Sequence, residues 1–183
     1  MSRNRRKPIG KKINPTFFVF CEGETEKAYI NLLKSKYRIP SIKIHAKIRG
    51  INITENYINN YKREKPTHEK DKTFLFYDLD VPEVLQKIKK INKGIVLASN
   101  PCVEFWFLLH YKNHASETNN KYCYKELVNR NGKYKKGSLD NKLRDKLIEK
   151  SSHASKRAKA LNAYDNPSST IYKIIEILDN LKK

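Results

Sequence analysis

Three short apolar runs of strand length, spaced by amphipathic stretches, constrain this chain more than any other feature. Residues 16–21 (TFFVFC), 73–78 (TFLFYD) and 95–99 (IVLAS) are continuously apolar, the pattern of strands covered on both faces. Residues 42–48 (IKIHAKI) alternate like a further strand. Helical stretches lie between these runs: from Glu24 to about Lys36, around 54–64 after the break at Gly50, and onward from Pro82, a good first-turn residue. Residues 65–72 are polar and contain Pro66, hence a loop, and 103–111 (VEFWFLLHY) reads as a helix. Strands alternating with helices predict βαβ units and a parallel, Rossmann-like sheet flanked by helices.

The last third reads differently. Residues 120–163 have weak periodicity and high charge, predicting two or three helices with a loop near Asn131-Gly132. Asn166 then caps a helix with Pro167 at its first position, and Ile171, Ile174, Ile175, Leu178 and Leu181 line one face. The expected organisation is a basic flexible tail (1–14), an α/β core (15–112) and a basic helical elaboration packing on that core (113–183).

Charge narrows the partners. The net charge is +20, with 39 Lys and Arg against 19 Asp and Glu, and a field of that size draws polyanions. Residues 1–12 carry six basic side chains and no acid, and residues 118–160 carry thirteen basic against four acidic ones. Arg3, Arg5 and Arg6 in the first stretch, with Lys133, Lys135, Lys136, Lys156 and Arg157 in the second, are candidate nucleic-acid contacts. Tyr122, Tyr124 and Tyr134 supply aromatic faces for bases to stack on. No apolar run reaches the roughly 18 residues of a membrane span, and no signal-peptide segment follows the basic start, so the expected compartment is the cytoplasm and no membrane partner is expected. Cys21, Cys102 and Cys123 are odd in number and lack CxxC spacing, which argues against a disulfide framework or a zinc site.

Acids are scarce, and their placement is informative. Glu22 follows the first apolar run, with Gly23 permitting a tight turn into a helix; Asp78 and Asp80 follow another (FLFYDLD). In open α/β sheets, ligands bind beyond the carboxyl ends of the strands, so these carboxylates project to one edge. Oxygen-only donors there suit Mg²⁺ or Mn²⁺. Ser99 and Glu104 follow the next strand and reach the same edge. Glu24 and Glu26 favour the helix N-terminus through its dipole, Glu26 with a supporting role at the site as an option. His110 reads as a hydrogen-bonded structural residue, and the His110/His114 spacing lacks a third zinc ligand.

CEGETEKAY (21–29), SNPCVEFWFLLHY (99–111) and NPSSTIYKIIEIL (166–178) resemble, in the same order, the motifs of the RloB-like family, a Toprim-related family of restriction and abortive-infection loci. That resemblance implies a Toprim fold in which Glu22 is the Toprim glutamate, Asp78 and Asp80 its DxD pair, and Glu104 a second-metal ligand. It implies an Mg²⁺-dependent nuclease acting on DNA or RNA, tRNA among the latter, in antiviral defence. Relatives are often encoded beside an ATPase, which implies an alternative: a nucleic-acid-binding or toxin subunit whose site a partner ATPase gates. FLFYDLDV also resembles the DxD motif of haloacid-dehalogenase phosphatases. Asp140, Asp165 and Asp179 do not supply that superfamily's downstream acidic motif, and Glu22 has no role there.

Overall fold

A computed structural model of the chain describes residues 14–39 and 43–182. Arg3, Arg5 and Arg6 lie outside the described residues. Four parallel strands form most of one sheet: β1 (Thr16–Cys21), β2 (Lys43–Ile48), β3 (Lys72–Asp78) and β4 (Gly94–Asn100). A fifth strand, β5 (Ser168–Ser169), adds antiparallel to β4, giving the order β2-β1-β3-β4-β5. The connecting helices are α1 (Glu24–Tyr37), α2 (Glu55–Arg63) and α3 (Pro82–Lys89); α4 (Val103–Leu108), α5 (Asn120–Arg130), α6 (Asn141–Glu149), α7 (Ser151–Lys159) and α8 (Tyr172–Lys182) follow.

Side chains leave a strand alternately to its two faces, and here both faces are apolar. Phe17, Val19, Cys21, Phe74 and Phe76 join Tyr29, Ile30 and Leu33 of α1, α4 and the buried residues of α5–α8 in one core. Phe18, Phe20, Leu75 and Tyr77 join Ile58 of α2 with Val84 and Ile88 of α3 in the other. Continuous apolar runs are thus the signature of a three-layer α/β fold. From β1 the chain steps to β2 in one direction, then crosses β1 to β3 and on to β4 in the other. The crossovers place α1 on one face and α2 and α3 on the other, as a common hand of such connections requires when the strand order reverses. Between β1 and β3 the order reverses, the position at which open α/β sheets have their crevice, beyond the carboxyl ends of the strands.

The structure corrects two expectations. The helix of 103–111 ends at Leu108, and His110 and Tyr111 lie in the turn that follows. The segment from Pro167 is not yet helical: Ser168 and Ser169 pair with Asn100 and Ser99, and α8 starts only at Tyr172. Hydroxyls decide this. Thr170 Oγ1 accepts the Ala98 N–H at 2.9 Å and donates to Val96 O at 3.1 Å, while Ser99 and Ser169 Oγ bond at 2.9 Å. Buried hydroxyls with strand partners outcompete a first helical turn.

Candidate active site

Glu22 and Asp78 meet at the crevice. The β1–β3 ladder runs one residue past β1, where the Glu22 N–H donates to Phe76 O at 3.0 Å. The next link uses a side chain: the Asp78 N–H donates to Glu22 Oε2 at 3.0 Å. Asp78 pairs in register with Ser99 of β4, and the Leu79 N–H donates to Ser99 O at 2.9 Å, which fixes the start of the DxD turn. Asp78 Oδ1 is sealed from water and has no hydrogen-bond partner. An orphaned carboxylate oxygen is costly to bury, and such a group calls for a ligand or a proton.

Glu26 belongs to the same cluster, one turn into α1. Its side chain is buried at 5% exposure, and Oε2 accepts the Gly23 N–H at 2.9 Å. A Cβ on Gly23 would lie 3.2 Å from that oxygen, so glycine allows the close approach. Glu26 therefore does more than favour the helix dipole. Burial pushes the Glu26 carboxyl up to about 7, and the charges of Glu22 and Glu104 add to the rise while its hydrogen bonds oppose it. Burial likewise raises Glu22, against the lowering effect of the Asp78 N–H and with help from Asp80. Asp78 is held well above the usual carboxylate range by burial first, then by Glu26, Glu22, Glu104 and Asp80.

Asp80 and Glu104 stand at this edge but are engaged by the last third of the chain. Asp80 is exposed, and its Oδ2 accepts from Asn120 Nδ2 at 2.8 Å. Glu104, 1% exposed, accepts the Tyr134 hydroxyl at 2.7 Å, and Lys136 Nζ lies 3.9 Å from the same oxygen. Glu104's charge raises Lys136 above the ordinary lysine range. The loop that carries them is pinned to α1 by the Gly137 N–H, which donates to Thr25 Oγ1 at 2.8 Å. Gly137 has φ +82°, a conformation that suits glycine. Neither Asn120 nor Tyr134 carries a sequence signal for this role, since the return of a distant loop is invisible to periodicity.

As a donor set for a divalent cation the residues fit in kind. All are oxygens, they repel one another, and Asp78 Oδ1 is unpartnered. Among the described residues, however, no three His, Cys, Asp or Glu side chains stand close enough to hold an ion as they are. Asp80 and Glu104 would have to leave Asn120 and Tyr134 to complete a shell. A shallow cavity of about 620 Å³, lined by Asp80, Asn100, Asn119, Asn120, Lys121 and Asn166, adjoins the DxD turn.

The other residues singled out in the sequence are scattered. Lys133 and Lys135 are exposed on the loop beside the cluster, with Lys136. Lys156 is exposed on α7, where Arg157 donates to Leu109 O at 2.7 Å. Tyr134 is buried against Glu104 and offers no face for a base, whereas Tyr122 and Tyr124 are partly exposed. His110 is buried, with Nδ1 3.0 Å from Trp106 O, and burial lowers it to about 3; His114 stacks on Tyr122. The three cysteines are buried and free. Asp140 caps α6 and Asp179 accepts the Tyr37 hydroxyl, so both are spent away from the crevice. No helix among the described residues is long and apolar enough to cross a membrane.

The sequence model of the family described as RloB-like protein matches residues 17–178, nearly the whole chain. No curated protein and no solved structure matches it.

Proposed function

The chain belongs to the RloB-like family, and from that membership and the crevice geometry we propose a Toprim-type nuclease that hydrolyses nucleic-acid phosphodiesters with Mg²⁺ or Mn²⁺ in antiviral defence. The observation that carries the reading is the sealed, unpartnered Oδ1 of Asp78 amid four further carboxylates at the strand-order reversal. Asp78 and Asp80 would hold the cation, with Glu104 serving a second. Bound there, a divalent ion offsets charge on the phosphate and lowers the pKa of water. Glu22, raised by burial, is suited to take a proton from the attacking water. Lys136, exposed and 3.9 Å from Glu104, supplies a positive charge beside the cluster that suits a phosphate. The basic surface supports a polymeric anion as substrate.

One observation favours a second reading in which an ATPase partner gates the site. Asp80 and Glu104 are both held by the last third of the chain, so a partner that shifts α5 or the Tyr134 loop would release them.

Purified protein incubated with single- and double-stranded DNA and RNA, with Mg²⁺ or Mn²⁺, tests the reading. Cleavage is expected to fall at least about 100-fold in Asp78→Ala. In chelator, Asp78→Asn is expected to be more stable to heat than the parent, and Mg²⁺ is expected to raise the Tm of the parent only. No cleavage of any substrate, together with unchanged Tm in Mg²⁺, sinks the proposal.

A further inference from the structure

Beside the crevice, on the β2 side, the chain builds a second feature that the carboxylates do not use. Arg49 directly follows β2, and its N–H donates to Cys21 O at 3.0 Å, which sets it next to Glu22 across the edge. Its guanidinium lies over the Tyr57 ring at 4.6 Å from the centroid. Tyr57 is in turn stacked on Tyr61, with centroids 6.4 Å apart and planes 18° from parallel, and both pack edge-on against Phe20. Lys65 lies 5.0 Å over the Tyr61 ring and continues the column towards the other end of the sheet. Arg49 is exposed, and among the described residues neither it nor Lys47 nor Lys65 is ion-paired with a carboxylate. The field here is positive: after burial, the charges of Lys65, Lys34 and Lys43 lower His45.

Part of this has a simpler cause. β2 is an edge strand, and Lys43 and Lys47 on it discourage pairing with another chain. That cause does not account for a guanidinium held over a tyrosine ring and, among the described residues, not ion-paired with a carboxylate. A planar cation over an aromatic face offers an open surface to a base and donors to a phosphate. Only an unpaired nucleotide can present its base that way. We propose that Arg49 on Tyr57 is the subsite for the nucleotide flanking the reacting phosphodiester, taken from an unpaired strand that runs along β2. This rests on the nuclease reading for its position, but not for its test.

The test measures binding without cleavage: fluorescence anisotropy of the full chain in chelator, with labelled oligonucleotides of about 12 nucleotides, unpaired or as blunt duplex. Arg49→Ala and Tyr57→Leu are each expected to weaken unpaired-strand binding about tenfold and to change duplex binding less than about twofold. Arg49→Lys, which keeps charge but loses the plane, is expected to retain the salt dependence and still lose most of the affinity. Arg49 is exposed, so its variants keep the fold, and Tyr57→Phe controls for packing on Phe20. Unpaired-strand binding equal to the parent in Arg49→Ala, equal losses for unpaired and duplex probes, or full rescue by Arg49→Lys overturns the subsite. Specific loss without hydrolysis of any substrate would keep the subsite and remove the nuclease; hydrolysis with unaffected binding would do the reverse.

Discussion

Asp78 and Glu26 show how a few side chains set the character of this edge. Each is raised by burial before any neighbour acts, so their charged forms oppose folding when nothing offsets them. For Glu26 the sign is clear. Its folded value of about 7 lies above its ordinary 4.5, so the native state holds the proton more tightly than the unfolded chain. Stability therefore falls as pH rises from about 4.5 to 7, and the loss is complete above that window. Glu26→Gln keeps an acceptor for the Gly23 N–H and removes the charge. In chelator it is expected to be more stable than the parent by about 1–3 kcal/mol at pH 8, with the gap closing near pH 4.5, as read by urea denaturation. A constant gap across that range would show that Glu26 does not titrate with folding.

At the scale of elements, β5 is the least expected and the most instructive. Two residues are too short to show alternation, and Asn166-Pro167 carries a strong helix-start signal, so the strand was hidden. Thr170 secures it by bonding both Ala98 N–H and Val96 O. Thr170→Val leaves a buried hydrogen bond unmade and is expected to cost about 1–3 kcal/mol in chemical denaturation, while Thr170→Ser restores most of it. The longer elements were legible because their periods were. Residues 16–21 and 73–78 announced covered strands, and the Glu22 and Asp78 that end them announced the edge. Glu26, Asn120 and Tyr134 were not legible as partners, because their contacts depend on how α1 and the loop after α5 return to that edge. Arg49 was hidden likewise, its column being a product of how α2 lies on the sheet.

Across the whole molecule, one core cluster binds the sheet to its helical elaboration. Trp106, Phe107 and Leu109 share it with Leu127, Leu143, Ala154 and Ile174. A chain truncated after Lys112 would bare that face, and it is expected to aggregate or bind a hydrophobic dye strongly instead of folding; a soluble product with sharp thermal unfolding would contradict this. The same elaboration reaches the crevice through Asn120, Tyr134 and Lys136, so packing and chemistry share their supports. The bond from the Asp78 N–H to the Glu22 carboxylate takes this furthest. It is the final rung between two central strands and also a grip on the group that any guest would want. A guest that draws Glu22 aside takes that rung with it, and one that leaves returns it. The carboxyl end of the β1–β3 seam thus depends on where the Glu22 carboxylate sits.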